Sequence, residues 1–177
     1  MELIKNHSLN LTGVNKYVDF VIEKQIKNRQ FWQNFIDVFG TGVDDSEAAW
    51  SGEFFGKMMR GASLIYTYKK DEEVYEILTD AVIKLLAKQD ELGRIASHTV
   101  EHEFMGWDIW CRKYVMVGLL HYYDICKDEE LKKKTEIIAK EAMINLEGKA
   151  ETNPKVLDAI ETLKKAVYYD ESNSAKR

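Results

Sequence analysis

Apolar residues recur at the three- and four-residue spacing of helices in six segments of this chain, and the alternating runs that strands require are scarce. The pattern predicts helices over 15–39, 48–69, 72–89, 107–126, 128–147 and 154–169, hence an all-α fold. The last has the clearest start, because Asn153 suits the cap and Pro154 the first helical position, where no amide hydrogen is needed. Two kinds of helix alternate. Segment 72–89 sets Val74, Ile77, Leu78, Ala81, Val82, Leu85 and Leu86 against Glu72, Glu73, Glu76, Asp80, Lys84 and Lys88, the one-sided stripe of a surface helix. Segment 109–123 is apolar nearly all round past its first turn, which predicts an inner helix surrounded by protein.

An internal repeat supports this division. The run Gly61-Ala-Ser-Leu-Ile-Tyr-Thr-Tyr-Lys-Lys-Asp71-Glu-Glu-Val74 aligns without gaps with Gly118-Leu-Leu-His-Tyr-Tyr-Asp-Ile-Cys-Lys-Asp128-Glu-Glu-Leu131. Each copy reads as an inner helix, a Lys-Asp-Glu-Glu turn and an outer amphipathic helix, which is an αα-hairpin. Such hairpins stack into open solenoids or close into toroids. The chain has room for about three, and a closed ring of six needs roughly twice this length. The expected architecture is therefore a single helical domain over 1–177, made of repeated αα-hairpins forming about half of an (α/α)6 toroid. A polar stretch, 170–177, is expected to be a disordered tail.

Composition narrows the function classes. With 177 residues, 45% of them hydrophobic, the chain can bury a core without disulfides or a structural metal. Its net charge of −5 and the absence of any basic block argue against nucleic acid or an anionic membrane as partner. No apolar run reaches a membrane-spanning length, and Met1–His7 lacks a basic start followed by an apolar stretch, so a cytoplasmic protein is expected. Cys111 and Cys126 fall in one predicted helix, too far apart along it to bridge each other, and are expected to be reduced and buried.

Polar residues interrupt the apolar helices near their N-terminal ends. In Trp50-Ser-Gly-Glu53-Phe-Phe-Gly-Lys57-Met-Met-Arg60 the charges stand at i, i+4 and i+7 between apolar flanks, a stripe suited to lining a cavity. The plainer reading is a Glu53–Lys57 helix pair on a solvated face. The second end, Gly106-Trp107-Asp108-Ile-Trp110-Cys111-Arg112-Lys113-Tyr114, follows the longest connection in the chain. There Trp107, Trp110 and Tyr114 offer faces for sugar rings, and Asp108, Arg112 and Lys113 offer partners for hydroxyls. The plainer reading puts the aromatics in the core and pairs Asp108 with Arg112. His98 and His102, with Glu101 and Glu103, lack a specified third metal ligand and read as a solvated loop. Cys111 is a nucleophile only if its thiolate is stabilised, and a buried inert thiol is the simpler expectation. No phosphate-binding glycine loop, CxxC, HExxH or GxSxG motif occurs.

Taken in order, Trp50-Ser-Gly-Glu-Phe-Phe-Gly-Lys57, then Gln89-Asp90 with Gly93-Arg94-Ile95, then Gly106–Tyr114 leading into Gly118-Leu-Leu, resemble the β-L-arabinofuranosidase-type glycoside hydrolases of the family 127 kind, over about residues 10–135. The resemblance implies an (α/α)6 toroid with a sugar pocket at one rim, lined by Glu53, Lys57, Trp107, Trp110, Arg112 and Lys113. Trp50 and Asp108 join these substrate-binding candidates from the same two helix ends. In characterised members the nucleophile is a zinc-bound cysteine, and glutamates serve as acid/base and metal ligand, all from the second half of the barrel. From about Lys140 this sequence leaves the family pattern and no cysteine cluster follows. The expectation is thus a truncated hydrolase, with no metal or cofactor of its own and no hydrolysis by the family route from this chain alone. Its expected ligand is an arabinose-containing oligosaccharide or a similar carbohydrate. The alternative is a non-catalytic helical interaction or scaffold module, whose apolar face is covered by a second copy or by a companion chain supplying the second half. A third reading, a complete small enzyme, needs two carboxylates among Glu53, Glu101, Glu103 and Asp108 facing one cavity at a separation of roughly 5–10 Å.

Overall fold

The structure, a computed structural model, describes residues 12–46 and 49–138. The predicted helix 154–169, the hairpin it completes and the polar stretch 170–177 lie outside the described residues. Within them the chain forms α1 (Thr12–Val21), which runs into a π-helical turn (Ile22–Ile26), then α2 (Arg29–Ile36), α3 (Glu53–Lys69), α4 (Glu72–Leu86) and α5 (Asp108–Ile125). A sixth helix, α6, is described over 129–138. Helices are the only regular elements among the described residues, as the periodicity predicts.

Two predicted boundaries differ from the structure. The segment read as one helix over 15–39 is broken at Asn28, whose extended backbone leaves the helical region while its side chain accepts a hydrogen bond from the Phe31 N–H at 3.2 Å. Asn28 is an N-cap inside an otherwise helical pattern. The break exposes the Ile26 carbonyl, and the Trp32 indole donates to it at 2.8 Å, so a buried tryptophan and the freed acceptor satisfy each other. The second helix starts at Glu53 instead of 48, because Gly52 is its cap and the Gly52 N–H is taken by the Asp44 carboxylate at 2.8 Å.

The two Lys-Asp-Glu-Glu turns use one chemistry. One oxygen of Asp71 accepts from the N–H groups of Glu73 and Val74 at 3.0 and 3.2 Å, and one oxygen of Asp128 accepts from those of Glu130 and Leu131 at 2.9 and 3.0 Å. Each aspartate is an N-cap that satisfies two amides with no helical partner. The glutamates that follow stand where the helix dipole favours negative charge.

Beyond the caps, burial follows the stripes. All seven apolar residues of the α4 stripe are buried, in one core with Ile26, Trp32 and Ile36 from the α1–α2 region and Phe55, Met59, Val115 and Leu119 from α3 and α5. Each such aliphatic side chain contributes about 1.5–3 kcal/mol relative to exposure. α5 is less enclosed than its composition predicts. Cys111, Val115, Met116, Leu119 and Tyr122 are buried, whereas Lys113, Tyr114, Val117 and His121 are half-buried and Trp110 is exposed.

The helices α3 and α5 make the closest packing in the fold. They cross where Gly56 meets Gly118. A Cβ on Gly56 would lie 1.8 Å from the Tyr114 carbonyl oxygen, and one on Gly118 would lie 2.8 Å from the Gly56 Cα. Backbone approaches backbone there, which only glycine permits. This crossing brings the N-terminal ends of α3 and α5 side by side and places the candidate residues together.

Candidate functional site

At the paired ends of α3 and α5, four aromatic side chains form a run. Trp50 packs edge-to-face on Trp107 with ring centroids 6.4 Å apart, Trp107 on Trp110 at 5.8 Å, and Trp110 on Tyr114 at 5.1 Å. These separations lie in the favourable range for aromatic pairs. The three indoles remain 46%, 42% and 38% exposed in that order, so the aromatic candidates belong to the surface and not to the core.

Charge is set into this run. Glu53, at the first position of α3, is buried; one of its oxygens accepts from the Lys57 ammonium at 2.7 Å and the other from the Trp110 indole N–H. The hydrogen bond to Glu53 raises the Lys57 pKa above the ordinary lysine value, against the effect of its own desolvation. Lys57 also lies 4.7 Å from the centre of the Tyr114 ring. The Lys113 ammonium sits over two rings, 3.5 Å from the centre of one in Trp110 and 4.5 Å from that of Tyr114. Burial pulls its pKa down, opposed by the Glu53 charge.

Behind the rim is a second polar group, and it is buried. Both oxygens of Asp108 are taken by the Arg112 guanidinium at 2.9 and 2.7 Å, a bidentate pair, and one also accepts from the Phe104 N–H at 2.9 Å. Arg112 reaches Glu103 as well, at 3.0 Å, and its guanidinium lies against the Phe104 ring. Phe104 holds a left-handed backbone conformation, φ 67°, an arrangement costing about 1–3 kcal/mol that the Asp108 bond helps to hold. The structure therefore places Asp108 and Arg112 inside, facing one another, while Trp50, Glu53, Lys57, Trp107, Trp110 and Lys113 assemble at the rim.

The connection from 87 to 107 is ordered by the same means. Asp90 accepts from the amides of Leu92 and Arg94 and from the Arg94 side chain at 2.7 Å, closing a tight loop at Gly93, φ 78°. The backbone then runs beside the segment before α3, with the Gly40 N–H on the Ala96 carbonyl at 2.9 Å and both Asp45 oxygens on Thr99. His98 is consequently buried, at 2% exposure, which corrects its reading as part of a solvated loop. Its Nδ1 is 3.8 Å from Asp108, and neither ring nitrogen has a hydrogen-bond partner among the described residues. Burial lowers its pKa, with Asp108 acting in the opposite sense. His102 is half-buried and faces Asp45 at 3.3 Å.

Cys111 is buried beside Asp44, and burial followed by the Asp44 charge pushes its thiol up to about 12. That thiol stays protonated at neutral pH and is a poor nucleophile. No group of three or more His, Cys, Asp or Glu among the described residues is arranged to hold a metal, and Asp108 is already spent on Arg112.

Asp44 is a structural member of this site that periodicity gave no reason to select. It is wholly buried, and although burial alone would raise its pKa, the Gly52 N–H and neighbouring donors hold the carboxyl below the usual value. Gly52 is part of the same fit, since a Cβ there would lie 2.4 Å from the Ser97 hydroxyl. Asp44 lies in Gly40-Thr-Gly-Val-Asp-Asp-Ser46, whose only sequence signal is that of a turn. Among the described residues no helix is long and apolar enough to cross a membrane. Compared with known protein families, with curated proteins and with solved structures, the chain has no significant match.

Proposed function

We propose that this chain is a saccharide-binding portion of a glycoside-hydrolase-type α/α toroid, akin to the β-L-arabinofuranosidases, and that its binding surface is the aromatic rim at the ends of α3 and α5. The observation that carries this reading is the run Trp50–Trp107–Trp110–Tyr114, continuous, with its three indoles exposed, and interleaved with Glu53, Lys57 and Lys113. A folded monomer does not ordinarily leave three neighbouring indoles at the surface without use. Flat apolar rings beside fixed polar groups suit a ligand with apolar ring faces and hydroxyl edges. Hydrolysis is assigned to no residue here: Asp108 is buried and bidentate with Arg112, and both Glu53 oxygens are engaged. The sequence repeat, whose two copies place a capping aspartate, Asp71 and Asp128, at the same point, supports the toroid reading.

Calorimetric titration with arabinose-containing oligosaccharides tests the rim. The expected result is measurable binding that disappears in Trp110→Ala while the far-ultraviolet circular dichroism stays helical. Unchanged binding in that variant overturns the assignment.

A second reading, a helical interaction or scaffold module, draws on a different observation. Val14, Tyr17 and Phe20 of α1 and Leu64 and Tyr68 of α3 are all exposed, Tyr17 at 77%. Light scattering on a sizing column separates the readings. A dimer that breaks on Tyr17→Lys with Phe20→Lys favours the interaction module, and a monomer removes the homodimer from consideration.

A further inference from the structure

Charge at the rim is unequal. Its one carboxylate among the described residues, Glu53, is neutralised by Lys57 at 2.7 Å and further occupied by the Trp110 indole. Lys113 has no carboxylate within ion-pair distance among the described residues; its ammonium is held only against the faces of Trp110 and Tyr114. Among the described residues the rim thus sets two lysines against one glutamate, on a chain whose net charge is −5.

Resting on the saccharide-binding reading above, we infer that the rim selects acidic saccharides, with the Lys113 ammonium receiving a sugar-ring carboxylate while the indoles take the ring face. Three features support this class over neutral sugars. An ammonium–carboxylate hydrogen bond is short, directional and charge-assisted, whereas a ring face offers only a diffuse quadrupole, so a carboxylate is the better partner for the ammonium. The two rings already restrict the lysine side chain, which reduces the ordering entropy left for the ligand to supply. Partial burial has removed some of the ammonium's water, consistent with the downward shift of its pKa, and leaves it a stronger electrostatic partner than a fully hydrated lysine.

The test compares a trigalacturonate with its fully methyl-esterified form, which keeps the ring faces and hydroxyls and removes the charge. Both are titrated into the full chain at low salt, followed by tryptophan fluorescence. The acid is expected to bind about five- to tenfold more tightly than the ester, as one added ion pair near a surface allows. The preference is expected to shrink as salt rises toward physiological strength, to collapse in Lys113→Gln, and to persist in Lys113→Arg and in the distant Lys84→Gln. Equal affinity for acid and ester, or a preference that survives Lys113→Gln, overturns the acidic-ligand inference and leaves the saccharide rim standing. Binding of neither form, together with no binding of neutral arabinose-containing oligosaccharides, overturns both.

Discussion

Asp108 and Lys113 stand less than two turns apart on α5, and the fold puts them to opposite uses. Asp108 is wholly buried, with every oxygen committed to Arg112 or the Phe104 amide. Lys113 is half-buried over two aromatic rings, with no carboxylate in ion-pair contact among the described residues. The buried pair orders the loop that delivers Trp107 to the rim, and the Lys113 ammonium has only ring faces as partners. One helix end thus holds a scaffold and a binding surface, and the difference between them is whether a side chain's partners come from the protein.

Breaking the scaffold side has the largest expected effect. Asp108→Ala leaves the Arg112 guanidinium buried without its bidentate partner, a loss of about 3–5 kcal/mol in urea unfolding. A loss below about 1 kcal/mol would mean that the pair is solvated and the contrast false. Gly56→Ala comes next, because its methyl group would meet the Tyr114 backbone; overpacking of about 1–3 kcal/mol or more should lower the melting temperature. Gly61→Ala is the matched control. Nothing lies within 4 Å of a Cβ at Gly61, and the exposed helical site should gain about 0.5–1 kcal/mol from the better helix former.

A smaller effect comes from His98. Its folded-state pKa is depressed by burial, with Asp108, Asp44 and Asp45 opposing and Arg112 reinforcing, so below pH 6.5 the unfolded chain takes up a proton before the folded one. The stability that depends on neutral His98 is therefore complete above that pH and is lost as pH falls from 6.5 toward the lower folded value. Chemical denaturation at stepwise pH should show this decline in the native chain and a flatter profile in His98→Gln. On the binding side, Lys113→Gln should change stability by no more than about 0.5–1 kcal/mol, the size of a surface cation–π contact. A melting curve showing an Asp108-sized loss in that variant would place Lys113 in the scaffold too.

Local features were legible in the sequence because their causes are local. The α4 stripe is an alternation of side chains along one helix, and it is buried as read. Asp71 and Asp128 cap helices with amides two and three residues away, so their repeat could be seen without knowing the fold. The Asp108–Arg112 and Glu53–Lys57 pairs follow from i, i+4 spacing. The break at Asn28 was hidden because the apolar periodicity continues through it.

Between the repeat copies, Gly61 and Gly118 align in sequence, yet only Gly118 lies at a crossing, where its partner is Gly56. Nothing in the string distinguishes them, since the need for glycine arises from a second backbone brought close by packing. The same holds for His98 and Asp44, whose loops are polar in composition but lie against each other in the interior.

The sequence by itself determined the helical class, the repeated Lys-Asp-Glu-Glu turn, the buried stripes and which helix ends carry polar and aromatic groups, because those depend on neighbours within a few residues. Tertiary structure decided which of those end groups became scaffold and which became surface. That choice depends on where α3, α5 and the two loops meet, and on whether each charge, once stripped of water, finds a partner among residues distant in the chain.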